Sequence, residues 1–538
     1  MDLQSNQSLQ RGGSRQGSKF VDSDEGVAAP SPYDERAHGG LGDKIMIDIC
    51  SRWPHRAWVR RLPVKATFHT VVERNLLMFD NRSLLLAAAL AAVNAGSAVA
   101  AVTADEAKKL GGPELTAWGA EKAGTKDGAI PPYAGERPKV PASYNPKEVG
   151  NMPDPYPDEK PLYTITAQNL AQHADKLTPG QKALFERYPE FRMDVYPTHR
   201  TTAYPQAVLD GTMKNATSCK TVNNGIKLEN CYPGIPFPIP KNGNEAVWNH
   251  LMVKPAGAWA GTINSFVVDA NGRVTLQGKF YTSQWSTFLD PASQGKVMGD
   301  KDAYWKMRFE ATGPARRVGE KTIIMDSLDP LDPGRRAWAY LPGQRRVKLA
   351  PDLSYDTPNP SSGGSATMDE TQVFLGAQDR YDMQLVGKKE VLMMYNMNKW
   401  TDYKVCSDEV SNTKNFPNPD CTRWELHRAW VVEAKLKPGF RHVYPRRVMY
   451  FDEDSWMAGF GEHYDAAGKL YRITTVPFFS WYFQPTGQFG DYSMTLDLQT
   501  GIWTNTGGVG FPGSGYNPVS VQANDYFSPE ALAGAGLR

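Results

Sequence analysis

Long apolar runs and blocks of one charge are scarce in this chain of 538 residues. The formal net charge is only +2, and no basic block stands out beyond residue 100, so nucleic acid is not expected as a partner. No stretch beyond residue 100 contains the roughly 20 apolar residues that a membrane-spanning helix needs. The sequence therefore predicts no transmembrane segment in that part of the chain.

Motifs for catalysis are also absent. The chain contains no G-x-S-x-G elbow, no H-E-x-x-H and no P-loop. Only nine histidines are present, and no two of them lie at a metal-ligand spacing. The sequence therefore predicts a protein that is not an enzyme, with no catalytic residue, no cofactor and no metal ligand. His463 is expected to be an outward residue on a strand.

Cysteines are few, and their positions form two local pairs. Of the five, Cys50 lies far upstream, and the other four fall in loop-like stretches. Four cysteines allow three pairings, but proximity favours Cys219 with Cys231 and Cys406 with Cys421. A zinc site is the alternative, but C-x-x-C spacing and adjacent histidines are missing. We predict two disulfides, which suit an oxidising compartment.

One apolar segment is present, and it lies well inside the chain. It runs from Ser83 to Val93 after the basic residue Arg82, and it ends in an A-x-A sequence at Ala98 and Ala100. This pattern is typical of a cleaved secretory signal peptide, and its core is too short to span a bilayer. No cysteine sits at the cleavage site, so a lipoprotein is not expected. The pattern predicts a periplasmic protein of a Gram-negative bacterium.

Because signal peptides act at the N-terminus, Met78 is the expected start of translation. The predicted organisation is a disordered, over-translated segment over 1–77, the signal peptide over 78–100, an extended Pro/Gly-rich segment over 101–165, and one large β domain with a helical lid over 166–538.

From Trp259 onward the sequence alternates with a period of two, which is typical of strands. Trp259–Val268 and Arg273–Tyr281 flank an Asn-Gly turn, and they predict a β-hairpin. The further predicted strands are Tyr304–Thr312, Thr322–Asp326, Ala337–Leu341, Arg380–Val386, Glu390–Tyr395, Trp424–Leu436, Arg446–Phe451, Trp456–Tyr464, Leu470–Pro477 and Tyr492–Leu498. Strands joined mostly by hairpins predict an antiparallel barrel or sandwich.

Helices are predicted at two places. Leu170–Leu184 has one apolar face, and Pro179 divides it into two pieces. Glu245–Lys254 is a second short helix. The acidic stretch Asp452-Glu453-Asp454 lacks the spacing and glycine of a calcium loop, so a hairpin turn is predicted there instead.

Methionine and aromatic side chains recur on single faces of several strands, as with Trp338 and Tyr340. Such faces line cavities for apolar ligands in some proteins, and ordinary core packing is the alternative. The predicted cavity-lining residues are Trp259, Phe266, Trp338, Tyr340, Met383, Met393, Tyr395, Trp430, Met449 and Phe451.

Four segments carry a resemblance to known sequences. Arg335–Val347, with its pattern W-x-Y-L-P-x-x-x-R-V, resembles a hairpin of the outer-membrane lipoprotein-sorting proteins LolA and LolB. Together with Tyr381–Glu390, Arg423–Ala434 and Arg447–Tyr464, it makes the chain from residue 101 onward similar to an uncharacterised proteobacterial domain-of-unknown-function family of exported proteins. That family is remotely similar to the LolA/LolB superfamily.

The resemblance implies a mainly β fold, in which a strongly curved antiparallel sheet forms an unclosed barrel with a few capping helices. It also implies binding of a lipid or another hydrophobic molecule, and proximity to outer-membrane or RND-type transport components. This chain is about twice as long as LolA and carries two additional cysteine pairs. The family defines no catalytic residues.

The predicted function is a monomeric periplasmic binding or shuttle protein for a hydrophobic small molecule or lipid, with Leu170–Leu184 as the lid. An RND-type transporter or an outer-membrane protein is the expected partner. One alternative is an envelope enzyme acting on lipid or glycan, for which Glu462, His463 and Asp452 would converge in a cleft. The other is a structural component of an outer-membrane complex, with a filled barrel and an exposed apolar patch.

Overall fold

The computed structural model describes residues 102–534, apart from residues 149, 484–487, 491–492 and 521–523. The predicted upstream segment, the start at Met78 and the signal peptide with Ala98 and Ala100 lie outside the described residues. In the part that is described, no helix combines the length and apolar character needed to cross a membrane. The predicted domain boundaries stay a prediction.

Most of the regular structure is β. The strands of the described residues are β1 (Tyr163–Ile165), β2 (Met193–Val195), β3 (Lys220–Val222), β4 (Lys227–Glu229), β5 (Gly257–Val268), β6 (Val274–Ser286), β7 (Ala303–Gly313), β8 (Lys321–Ser327), β9 (Arg336–Leu341), β10 (Arg346–Leu349), β11 (Tyr381–Met394), β12 (Trp424–Leu436), β13 (Arg446–Asp452), β14 (Ala458–Tyr464), β15 (Leu470–Thr475), β16 (Phe479–Ser480), β17 (Gln488–Phe489), β18 (Ser493–Asp497), β19 (Trp503–Gly508) and β20 (Gly515–Val519).

The α-helices are short. Within the described residues they are α1 (Ala104–Ala107), α2 (Pro179–Arg187), α3 (Gln206–Ser218), α4 (Gly243–Met252), α5 (Asn398–Thr401), α6 (Asp408–Ser411) and α7 (Pro529–Gly534). Single 3₁₀ turns connect several strands, and one of them, Leu170–His173, precedes α2.

Sixteen strands form one sheet in the order β1-β2-β12-β13-β14-β15-β18-β19-β5-β6-β7-β8-β9-β10, with β11 on β12 and β20 on β5. Every pairing in it is antiparallel except one contact between β2 and β12, at Val195 and Trp424. The two ends of this order, β1 and β10, do not pair with each other in the described residues, so the sheet is not closed. The predicted fold class is confirmed: mainly β, antiparallel and unclosed, with few helices.

Two meanders make up this sheet, and strand β5 joins them. Strands β5 to β10 pair in chain order and form the first meander. Strands β11 to β15, β18 and β19 also pair in chain order and form the second, whose last strand pairs with β5. Asn264–Val268 of β5 pairs with β19, whereas Ala258–Thr262 pairs with β20. The first strand of one meander, β5, therefore pairs directly with the last strand of the other, β19.

Several strands follow the alternation of the sequence, and one predicted interruption is absent. β12 matches the predicted strand at both ends, and β5 and β6 form the predicted hairpin. The stretch around Gly387 was expected to separate two strands. Instead β11 runs through it as one strand of 14 residues, with a bulge between Leu385 and Gly387. The bulge absorbs the glycine without ending the pairing with β12.

The two cysteine pairs form disulfides, as predicted. Cys219–Cys231 closes a separation of 12 residues around β3 and β4, and Cys406–Cys421 closes a separation of 15 residues around α6. All four cysteines are buried, so each bridge fixes its loop against the interior.

Candidate functional site

Helix α2 begins at a well-formed N-terminus. The Thr178 hydroxyl accepts a hydrogen bond from the Gln181 amide, and the Gln181 side chain accepts one from the Thr178 amide, both at 3.1 Å. Pro179 is the first helical residue, where its missing amide hydrogen has no cost. Leu184 and Phe185 are buried on the face that this helix turns inward.

A small number of polar contacts hold α2 on the sheet. The Gly180 amide donates to Glu462 Oε1 on β14 at 2.7 Å, and the Gln181 side-chain amide donates to the Leu392 carbonyl on β11 at 2.7 Å. Tyr464 donates its hydroxyl hydrogen to Glu462 Oε2 at 2.9 Å. Burial raises the pKa of Glu462, although the Gly180 amide acts in the opposite direction.

An apolar pocket of about 10 Å³ lies between α2 and the sheet. It is lined by Leu184, Phe191, Met394, Phe416, Pro417, Thr422, Trp424, Phe460, Ile473, Thr475 and Leu496. Strands β11, β12, β14, β15 and β18 supply its floor, and α2 supplies part of its roof. In this form of the protein the apolar walls are almost in contact.

Few polar groups reach this pocket, and one of them has no partner. Thr422 donates to the Pro419 carbonyl, and Thr475 donates to the Gly459 carbonyl. The indole nitrogen of Trp424 is buried without a hydrogen-bond partner among the described residues. A buried N–H without an acceptor is unfavourable, so an acceptor that reached the Trp424 indole would be favoured.

A charged cluster lies at the end of β13 and includes residues from the middle of β11 and β12. Arg200 donates two hydrogen bonds to Asp454, at 2.7 and 2.8 Å, and both side chains are almost completely buried. Glu453 contacts Arg200, Lys388 and Arg428 at 3.3, 2.8 and 3.0 Å. These carboxylates are therefore matched by cations at short range.

His427 of β12 lies deeper in the same cluster, between two carboxylates. Its Nε2 is 3.4 Å from Glu425 Oε2, and its Nδ1 is 3.6 Å from Asp452 Oδ1. The ring stacks on Tyr395 at 3.8 Å between centroids. Burial alone would raise the pKa of Glu425, but Arg423 and His427 lower it to about 2. Burial raises the pKa of Asp452.

A second buried cluster connects β13, β14 and the loop before β11. Arg447 Nη1 and His442 Nε2 each lie 3.0 Å from Asp369 Oδ2. His463 is completely buried, with its Nε2 3.7 Å from Glu370 Oε1. Burial and the neighbouring Arg447 hold its pKa well below the usual range. The expectation of an outward His463 is therefore wrong, because loop residues cover this face of β14.

The three residues named for an enzyme have separate surroundings. Glu462 contacts α2, His463 lies 3.1 Å from Thr474 Oγ1, and Asp452 lies beside His427. Glu462 and His463 are successive residues of one strand, so their side chains point to opposite faces. The structure does not bring the three residues together.

Larger cavities open at the surface. A polar cleft of about 450 Å³ is bordered by Glu121, Lys388 and Arg428 of the charged cluster. Cavities of about 290 and 270 Å³ adjoin Arg423 and Arg335 respectively. None of the ten predicted cavity-lining residues borders these cavities or the pocket under α2.

Comparison with known sequences places the chain in a family. The family model described as "Protein of unknown function (DUF1329)" matches residues 164–533, which is more than half of the chain. The chain belongs to the DUF1329 family. An uncharacterized protein of Pseudomonas aeruginosa, PA3922, is 38% identical over 442 residues, covering 82% of this chain and 95% of the relative. The resemblance stated from the sequence is confirmed.

Solved structures share part of the fold. A DUF1329 family protein from Desulfovibrio piger is 15% identical, covers 53% of this chain and 95% of its own, and has a TM-score of 0.35. The LolA superfamily protein NE2245 from Nitrosomonas europaea is 11% identical, covers 54% of this chain and 100% of its own, and has a TM-score of 0.31. At identities this low, nothing about activity transfers from these structures to the DUF1329 chain.

The ten residues predicted to line a cavity lie mostly inside this DUF1329 fold. Eight of them are buried, and only Trp338 and Trp430 are half-buried. Trp338 and Tyr340 belong to a separate small cluster with Phe527 and Leu532. The lining role of the ten stays a prediction.

The pocket under α2 depends on residues that the sequence did not single out as lining. Trp424 was named only as the first residue of the predicted strand Trp424–Leu436. Phe191 and Phe416 lie in segments without periodicity, so no pattern marked them. Their proximity in the DUF1329 fold comes from the Cys406–Cys421 loop packing beside α2, and the ring centroids of Phe191 and Phe416 lie 5.1 Å apart.

Proposed function

We propose that this protein binds a hydrophobic molecule, such as a lipid, between helix α2 and the sheet, and carries it through the periplasm. The observation that carries the proposal is the apolar pocket under α2, one of whose lining residues, Trp424, has an indole N–H without a partner among the described residues. A ligand with an apolar body and one acceptor matches both properties. The ligand enters when α2 moves outward, because the closed pocket holds only about 10 Å³.

The energetics favour this mechanism for an apolar ligand. Movement of α2 away from the sheet exposes Leu184, Phe185 and the apolar floor of the pocket to water. This exposure costs about 25 cal/mol per Å² of apolar surface. An apolar ligand covers the same surface and restores that free energy. A polar solute does not, so the exchange selects hydrophobic molecules.

The compartment and partner belong to the same proposal. Two buried disulfides are typical of an oxidising environment such as the periplasm. An RND-type transporter or an outer-membrane protein is the proposed donor or acceptor of the ligand. Transfer, rather than catalysis, is the proposed activity.

Native mass spectrometry of the protein purified from its own periplasm tests for a bound molecule. Oleic acid then serves as a defined ligand in a displacement assay with a fluorescent fatty-acid probe. We expect Trp424→Phe to weaken oleic acid binding about fivefold, the equivalent of the roughly 1 kcal/mol that one hydrogen bond contributes.

Trp430→Phe is the matched control. Its indole nitrogen is also buried without a partner among the described residues and lies on the same strand, but Trp430 does not line the pocket. Binding by this variant should equal that of the wild type. Equal affinities of all three proteins, or no co-purifying molecule and no probe binding, would contradict the proposal and favour a structural role.

A further inference from the structure

Asp452 differs from the other carboxylates around it. Among the buried acids of the charged cluster, Glu425 is paired with Arg423, Glu453 with Lys388 and Arg428, and Asp454 with Arg200; these pairs are given by the contacts of each side chain. In the described residues, Asp452 contacts neither lysine nor arginine, and it is completely buried. A buried carboxylate is unfavourable unless a cation or hydrogen-bond donors lie beside it, and His427 is the basic side chain next to Asp452.

The oxygen of Asp452 that faces His427 is the unsatisfied one. Oδ2 accepts hydrogen bonds from the Ser455 amide at 2.8 Å and the Tyr395 hydroxyl at 3.2 Å. Oδ1 has no hydrogen-bond partner in the part of the chain that is described. It lies 3.6 Å from His427 Nδ1.

The surroundings of His427 determine which of its nitrogens carries the hydrogen. Nε2 faces Glu425 Oε2 at 3.4 Å, and a carboxylate accepts there. A neutral imidazole that donates from Nε2 presents a lone pair at Nδ1. In that tautomer, Nδ1 and Asp452 Oδ1 present lone pairs to each other, so a cation placed between them would be bound by both.

The distance between His427 Nδ1 and Asp452 Oδ1 favours a metal ion over a shared proton between these two atoms. An N–H···O hydrogen bond spans about 2.7–3.2 Å between heavy atoms, and 3.6 Å exceeds that range. Two ligand atoms about 2.1 Å from one metal ion and 3.6 Å apart subtend about 120°, close to a tetrahedral arrangement. Asp454 supplies a second carboxylate and a third ligand, with all three ligand atoms within 4.8 Å of one another.

We propose that His427, Asp452 and Asp454 bind a divalent transition-metal ion of the zinc or manganese type. One imidazole and two carboxylates are ligands that these ions accept, whereas the imidazole disfavours calcium and magnesium. Glu425 would orient His427 from behind, as carboxylates commonly do for metal-bound histidines. The site stabilises the junction of β12 and β13, and it is independent of the pocket under α2.

Its position explains why the sequence pattern did not indicate it. His427 and Asp452 lie on neighbouring strands, and Ala429 is the register partner of Asp452. No ligand spacing within one segment marks the set. The polar cleft bordered by Lys388 and Arg428, which both contact Glu453, leads toward the cluster from solvent.

The test measures metal content and metal affinity. Full-length protein, refolded with one equivalent of Zn²⁺ and then dialysed, is analysed by mass spectrometry of its elements, and competition with a zinc indicator gives the affinity. We expect one zinc per chain, and a loss of affinity of at least tenfold in Asp452→Asn and in His427→Gln. His463→Gln, a variant of another completely buried histidine beside a carboxylate, should keep the zinc.

X-ray absorption of the zinc-loaded wild type covers the case in which a variant does not fold. One imidazole nitrogen and carboxylate oxygens at about 2.0–2.2 Å support the site. The proposal is overturned if the refolded wild type retains no stoichiometric zinc. It is also overturned if the spectrum shows several imidazoles, or if folded Asp452→Asn binds zinc as tightly as the wild type.

Discussion

Glu462 experiences two opposing effects at the start of helix α2. Its carboxylate is completely buried, which disfavours the charged form and raises its pKa. The Gly180 amide donates to it at 2.7 Å, which favours the charged form, as does the positive end of the helix. Burial has the larger effect, so the folded protein holds a proton at this site more readily than the unfolded chain does.

Glu462→Gln should therefore change the pH dependence of stability. Above the ordinary pKa of 4.5, the folded state binds more protons than the unfolded state, so wild-type stability falls as pH rises through the raised pKa. Glutamine keeps an acceptor for Gly180 and does not ionise. We expect the variant to be the more stable protein at pH 7, with the difference shrinking toward pH 4.5. Urea unfolding at several pH values measures this, and a constant difference would contradict it.

Burial of single residues was predicted less well than their position in strands. Alternation placed His463 on a strand correctly, but both faces of β14 are covered, so the residue is interior. Covering elements such as α2 and the loop containing Asp369 and Glu370 come from distant parts of the chain. Local periodicity carries no information about them.

The loop between Cys406 and Cys421 positions part of the pocket wall. It contains α6, and it brings Phe416 to the pocket under α2. The Cys219–Cys231 bridge closes a loop of similar size, but none of its residues lines that pocket. The two disulfides therefore close loops of similar size, but only one of these loops lines the pocket.

Removing each disulfide in turn distinguishes its effect on stability from its effect on the pocket under α2. For loops of this size, we expect each Cys→Ser pair to lower the free energy of unfolding by about 3 kcal/mol. Only Cys406→Ser with Cys421→Ser should also weaken binding of a fluorescent fatty-acid probe, because Phe416 loses its anchor. Denaturant unfolding and probe titration measure both quantities. Equal probe binding by the two double variants would show that the loop is not part of the site.

The sequence predicted whether a segment is a helix or a strand better than it predicted where that helix or strand is interrupted. Pro179 was expected to divide a helix, and the chain does form a 3₁₀ turn and then α2 with this proline at its start. Gly387 was expected to end a strand, but β11 continues through it because a bulge preserves the pairing with β12. Pro179 and Gly387 each mark a position at which the backbone geometry changes. Contacts with the rest of the fold determine whether that change is a helix start or a bulge.

The seam between β5 and β19 holds the two meanders in one sheet. Trp503 of β19 pairs with Val268 of β5, is completely buried, and donates its indole hydrogen to the Thr413 carbonyl at 2.8 Å. Continuous pairing across the seam predicts that both meanders unfold in one cooperative transition.

Trp503→Ala should lower the free energy of unfolding by about 3–5 kcal/mol, the range for a large buried aromatic. Because the pairing is continuous, the transition should remain single. Far-ultraviolet circular dichroism and tryptophan fluorescence, followed through the same denaturant series, should give coincident curves. Two separated transitions would indicate that the meanders fold independently.

The hairpin pattern predicted an antiparallel β protein, because hairpins are local and their turn residues are explicit. Asp269–Gly272, with its Asn-Gly step, is an example. The unclosed barrel was implied by the family resemblance. The strand order of the sheet could not be predicted from the sequence, because the β19–β5 and β20–β5 pairings join segments far apart in the chain. The pocket and the charged cluster arise from that same order.

The position of β5 has a consequence for synthesis. Its partners β19 and β20 are made last, so until the C-terminal residues emerge, one edge of the first meander carries unpaired amide and carbonyl groups. Such an edge invites pairing with other chains. The first meander therefore keeps an open edge until β19 and β20 have been made and have paired with β5.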